Sequence, residues 1–197
     1  MKKRAAGARH PLLFYRRTMD RLWKLTFALG AVTAVAGGLS LLKPTTILGI
    51  QSDIWLFVLA LAAFALSAFA FLARFMAYTQ ARDSYLSIVT PFLRLRIAYK
   101  RIRSVRPTLI QQLFPVEKIS WAQRSYIEPF YGKTVLVIEM RGYPISPALL
   151  RLFLPSAMFA PTTTGLVLLV ADWMKLSTEI DSLRGAWLQT QGRARSL

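Results

Sequence analysis

Two stretches of the chain are continuously apolar, several shorter ones alternate, and one near the end repeats at helical spacing. "LTFALGAVTAVAGGLSLL", Leu25 to Leu42, holds eighteen residues without a charge, and "IWLFVLALAAFALSAFAFLA", Ile54 to Ala73, holds twenty. A helix of about 20 residues covers about 30 Å, the thickness of a bilayer's hydrocarbon core. A buried core helix would show a polar stripe, and neither stretch has one. The pattern therefore predicts two membrane spans joined by the short connector 43–53. Trp23 and Trp55 stand at the span ends, where indole rings favour the interface. Residues 1–24 are long for the leading segment of a signal peptide, so the first span reads as a retained anchor.

After the second span the period changes. "YLSIVT" and "PFLRLRIAY" alternate, the latter with Leu93, Leu95, Ile97 and Tyr99 on one face and Arg94 and Arg96 on the other. "RIRSVRPTLI" continues as an extended piece, since Pro107 disfavours helix for the residue before it. "KTVLVIEMRG" sets Val135, Val137 and Glu139 opposite Leu136, Ile138 and Met140, and "TTTGLVLLVAD" is a short apolar run between turn residues. From Asp172, Trp173, Leu176, Ile180, Leu183 and Trp187 recur at spacings of three and four. That is one apolar helix face, with Asp172 or Ser177 available as the N-cap. The fold class expected is α+β: a two-helix transmembrane hairpin and a small antiparallel β domain capped by a C-terminal amphipathic helix. The organisation expected is a basic N-terminal segment (1–24), the hairpin (25–73), a cytoplasmic domain (84–190) and a basic tail (191–197).

Composition sharpens this picture. The chain of 197 residues is 54% hydrophobic yet carries a net charge of +17, a pairing that suggests a membrane protein with cationic cytoplasmic parts. Residues 1–24 hold eight basic side chains against Asp20, and residues 74–106 hold eight against Asp83, whereas the connector has only Lys43 and Asp53. The positive-inside rule then puts both termini in the cytoplasm and the connector outside. The polar residues of the spans, Thr26, Thr33, Ser40 and Ser67, cannot ionise, which disfavours a channel or transporter. Gly30, Ala34 and Gly38 recur every four residues as one smooth face, suited to packing the two spans together or to self-association between chains.

Chemistry is sparse. There is no cysteine, which excludes disulfides, thiol catalysis and thiolate metal sites, and His10 is the single histidine. No phosphate-binding loop, dinucleotide fingerprint or carboxylate metal motif is present. No cofactor, metal or catalytic residue is expected, and the chain reads as a non-enzyme. The cluster Arg94, Arg96, Lys100, Arg101, Arg103 and Arg106 stands out: six cations in fourteen positions with no acid. It is a lipid or partner surface or else a solvated strand face. Near an anionic leaflet each basic residue contributes about 1 kcal/mol. Nucleic acid is disfavoured, because Tyr99 is the single ring inside the cluster. "LLRLFLPSAMFAP", 149–161, is core or an interface insertion.

The segment "YLSIVTPFLRLRIAYKRIRSVRP", followed by "LVLLVADWM", resembles the bacterial pleckstrin-homology-like domain proteins. The resemblance covers roughly residues 20–190. It implies that the segment forms the early strands and that "LVLLVADWM" is the last strand passing into a capping helix. It also implies scaffolding or membrane-associated interaction rather than catalysis, and supplies no specific ligand. The partners expected, at a bacterial inner membrane, are anionic lipid and a protein partner or a homo-oligomeric copy. Residues 108–132 and 141–163 are longer than a compact version needs and suit amphipathic insertions. The alternative is a small accessory subunit of a larger membrane complex, docked through its hairpin.

Overall fold

The computed structural model describes residues 6–42 and 52–195. It is α+β, with two long apolar helices and two antiparallel sheets, and it divides into two compact units. One is the hairpin, Arg16–Phe75; the other joins the residues through Tyr15 to those from Met76 onward. Residues 43–51 of the connector, with its single lysine, lie outside the described residues, as do Lys2, Lys3 and Arg4.

The hairpin consists of α1 (Leu13–Leu42) and α2 (Ser52–Ala73). Both contain a stretch long and apolar enough to cross a membrane. At 1.5 Å per residue α1 is about 45 Å long, more than the hydrocarbon core needs. Its first twelve residues carry the cations Arg16, Arg17, Arg21 and Lys24. Hydroxyls within these helices bond back to their own turns, Thr33 to the Leu29 carbonyl at 2.9 Å and Ser40 to that of Gly37 at 2.8 Å. A spanning helix needs this, because lipid offers those groups no partner. Ser67 Oγ donates instead across the pair, to the Trp23 carbonyl at 2.9 Å.

The β unit begins with β1 (His10–Pro11), then resumes with β2 (Tyr78–Ala81), β3 (Tyr85–Val89) and β4 (Arg94–Ala98). These four form one antiparallel sheet in chain order. A second sheet holds β5 (Ile102–Leu109), β6 (Thr134–Met140) and β7 (Gly165–Leu168), again in order. The hairpin is thus spliced into the β unit between its first and second strands. The splice is tied by backbone hydrogen bonds from Leu12 N–H to the Ala77 carbonyl at 3.2 Å and from Leu13 N–H to the Leu169 carbonyl at 3.0 Å.

Strand alternation places Leu86, Ile88, Leu95 and Ile97 inward, all buried, with Arg94 and Arg96 outward. β6 departs from the expected two faces. Val135 through Ile138 are all buried, because β6 is the central strand of its sheet and is covered on both sides. Pro107 is tolerated in β5 because that strand lies at a sheet edge. Gly165 permits the close approach of β7 to β6, since a Cβ there would stand 2.7 Å from the Ile138 carbonyl oxygen. Leu176 and Ile180 of the last helix, α6 (Trp173–Arg195), are fully buried, and Asp172 caps it by accepting from Lys175 N–H at 3.0 Å.

Four differences from the sequence reading matter. The juxtamembrane link contains a strand, β2, whose Thr79 and Gln80 are buried and hydrogen-bonded to the Ser87 and Gly7 carbonyls. The unit that contains residues 84–190 also takes in β1 and β2, so a fragment starting at residue 84 would lack two strands. Much of the expected basic tail is helical, because α6 continues to Arg195. The segment 108–132 forms α3 (Ile110–Leu113) and α4 (Trp121–Ile127), and 141–163 forms α5 (Pro147–Phe153). The first packs inward through Tyr126, which stacks near Phe14 (6.1 Å between centroids) and donates to its carbonyl at 2.5 Å. In the second, Leu150, Leu154, Ala157 and Met158 are buried core, while Leu149 and Leu152 are exposed.

Candidate ligand cleft and the basic surface

The six cations do not form one patch. Register sets Arg94 opposite Val89, and through it in the row of Tyr78 and Pro11, at the end of the sheet where the chain leaves for and returns from the hairpin. Ala98 pairs with Tyr85 at the other end, four residues or about 13 Å along the strand. Lys100 and Arg101 follow in the tight turn that leads to β5. Arg103 and Arg106 belong to β5 in the second sheet. Arg101 Nη1 donates to the Tyr143 carbonyl at 3.2 Å, and Arg106 Nη2 lies 3.3 Å from Glu139 Oε2, which also accepts from Ser104 Oγ. Two of the six therefore hold structure.

Arg96 and Lys100 line a cleft of about 780 Å³ at the far end of the first sheet. Its floor comes from Tyr85, Arg96 and Ala98, its corner from Tyr99, and its opposite wall from Arg184, Trp187 and Leu188 of α6, with Arg141 after β6 at the side. The geometry follows from local structure. Arg96 points outward because Leu95 and Ile97 point inward, and its guanidinium sits 5.5 Å from the centre of the Tyr85 ring. Arg184 is fixed by donating from Nη2 to the carbonyls of Ile102 (3.2 Å) and Arg103 (3.3 Å). Tyr99 is buried, its ring 6.4 Å from that of Trp187 and its hydroxyl donating to the Arg82 carbonyl. Burial, with Asp83 nearby, pushes the phenol from 10.0 up to about 12, so it stays a neutral donor. Arg103 lines a separate cleft of about 680 Å³ with Glu139, Met140, Arg141 and two threonines.

No family model, no curated protein and no solved structure matches the chain.

Sequence reasoning placed Trp187 on the apolar helix face and missed Tyr85, Arg141 and Arg184 as site residues. Arg141 and Arg184 stand 45 and 88 positions beyond Arg96 in the chain, and only the fold brings them together. Two acids are committed elsewhere, Glu139 to Ser104 and Arg106 and Glu179 to the N-terminal segment. Glu179 accepts from Ala8 N–H at 3.1 Å and lies 3.3 Å from His10 Nε2, tying the N-terminal segment to α6. Among the described residues no group of three His, Asp or Glu side chains converges.

The helix-packing residues are also redistributed. Gly30 faces Phe64, whose ring would stand 3.1 Å from an added Cβ, and the next contact is Gly37 against Leu56 and Phe57 at 3.4 Å. Ala34 is half-buried, and a Cβ on Gly38 would meet nothing within 4 Å. The contact stripe thus follows Gly30, Thr33 and Gly37, at spacings of three and four.

Proposed function

We propose that this chain is a non-enzymatic integral membrane protein of bacterial pleckstrin-homology-like type. Its hairpin spans the plasma membrane with both termini cytoplasmic, and its β domain scaffolds partners at the inner leaflet. One observation carries the reading: the β domain is assembled from chain on both sides of the apolar hairpin, joined by the Leu12–Ala77 backbone bond. Such a domain requires both ends of the hairpin to emerge on one side of a bilayer. An even number of crossings does that, and the charge asymmetry selects the cytoplasm. The pleckstrin-homology-like assignment is supported by the order of four strands, three strands and a terminal helix. Anionic lipid is assigned to Arg94, in the row of Pro11 and Tyr78 where the β domain joins the hairpin.

The alternative of an accessory subunit docked through the hairpin draws on Gly38, a position on α1 with open space around it. Fusing a reporter after Leu197 tests the topology: activity confined to the cytoplasm is expected, and activity only outside would end the proposal. Purification in mild detergent separates the two readings, since a stable stoichiometric partner held through the hairpin favours the second.

A further inference from the structure

The cleft between the first sheet and α6 has a composition that the membrane reading does not use. Four cations, Arg96, Lys100, Arg141 and Arg184, line it without a carboxylate, and among the described residues no acid forms an ion pair with any of them. Asp83 stands at its rim, next to Ser84. Between the cations lie Tyr85, Tyr99, Trp187 and the exposed Leu188. Guanidinium groups offer planar forks that match carboxylates, and aromatic rings supply rigid contact area at little entropic cost. The register puts the cleft at the end of the sheet opposite the Pro11–Tyr78 row.

We propose that the cleft binds an acidic peptide segment of a partner protein, an apolar side chain seated against Trp187 and Leu188 and flanking carboxylates held by Arg96, Lys100 and Arg141. A peptide fits better than a small anion, because the cleft is open, lies between a helix and a sheet, and mixes apolar surface with separated charges. This rests on the scaffold reading and names the partner's chemistry.

The test uses the full chain in nanodiscs of neutral lipid. The probe is a fluorescent twelve-residue peptide of alternating glutamate and leucine with one central tryptophan. Saturable binding is expected, absent for the same peptide with lysine in place of glutamate. Arg96→Glu/Arg141→Glu and, separately, Leu188→Glu should each weaken it at least about tenfold. Arg124→Glu/Lys175→Glu makes the same change in net charge at exposed positions outside the cleft and should leave binding within about twofold. Equal losses from both double variants would reduce the effect to overall charge and overturn the proposal. So would binding of inositol trisphosphate, sensitive to Arg96 and Arg141, with no binding of the peptide.

Because the chain lacks cysteine, a photo-crosslinker can be placed on a single cysteine at position 188 or 94 in the cellular membrane. A protein captured from 94 and not from 188, with no peptide bound, keeps scaffolding and rejects the cleft. Peptide held at the cleft with no protein captured from either position keeps the cleft and rejects scaffolding.

Discussion

The hairpin and the β domain are both rich in large apolar side chains, and they point them in opposite directions. Leu25, Val32 and Leu61 of the hairpin are 68%, 67% and 72% exposed, whereas Leu86, Ile88 and Ile97 of the β domain are 0% exposed. In the hairpin it is the small residues Gly30 and Gly37 that face the other helix. In the proposed membrane setting the difference is one of solvent. Water drives large apolar groups inward at about 25 cal/mol per Å², but lipid gives no such drive, so helix pairing there depends on close backbone approach. A single chain carries both logics because one is spliced into the other.

The sharpest break of that comparison is a charge placed in each region. Ile138→Asp buries a carboxylate in the centre of β6 and should cost more than about 4 kcal/mol, leaving the β domain unfolded and protease-sensitive. Leu61→Asp should leave the β domain intact but penalise insertion by about 2.5–3.5 kcal/mol, read as reduced membrane integration. If the Leu61 variant unfolded the β domain instead, the two regions would not be separate in the sense argued.

Glycines give the reciprocal test. Gly30→Val forces a side chain against Phe64 and should cost about 1–3 kcal/mol of hairpin packing, whereas Gly38→Val should be close to neutral. Loss of disulfide formation between cysteines introduced on the two helices measures this. Equal effects at both positions would favour the unshifted stripe through Gly38.

Within the β domain, Glu179→Ala removes the acceptor of Ala8 N–H and the partner of His10, at about 1–3 kcal/mol. Proteolysis ahead of Leu13 should accelerate; unchanged cleavage would mean that the N-terminal strand is held by its backbone alone.

The smallest effect is Tyr99→Phe, about 1 kcal/mol near neutral pH through the lost hydrogen bond to the Arg82 carbonyl. Its pH dependence has a definite sign. Tyr99 keeps its proton to about 12 when folded, while the unfolded phenol releases it near 10. Its stabilisation is therefore complete below pH 10 and falls as pH rises toward 12. The melting difference between wild type and Tyr99→Phe in detergent should narrow over that window.

What could be read from the chain divides along the same line. Without any tertiary information, eighteen and twenty uncharged residues mark two helices long and apolar enough to cross a membrane. β4 was legible because it has one buried face, β3 because Leu86 and Ile88 alternate with Ser87 although all three are buried, and α6 because its apolar face recurs at helical spacing. β1 was not, being two residues long, nor β2, whose buried Thr79 and Gln80 look like a polar linker until their partners Ser87 and Gly7 are in place. The cleft was half legible: Arg96 and Lys100 belong to the visible cluster, but the cluster's continuity in sequence suggested a single surface. The turn after β4 and the switch to a second sheet scatter it, and Arg141 and Arg184 complete the site from elsewhere.

The central claim is that one β domain is assembled from the chain on both sides of a hairpin proposed to cross the membrane. Pro11 and Tyr78 are directly opposed on β1 and β2, so Pro11→Cys with Tyr78→Cys places two thiols within disulfide reach in a chain that otherwise has none. With a protease site inserted in the connector 43–53, intact cells are oxidised and then treated with external protease. The account predicts cleavage from outside and two fragments that separate on a gel only after reduction. Failure to cut from outside, or fragments that part without reductant, would contradict it.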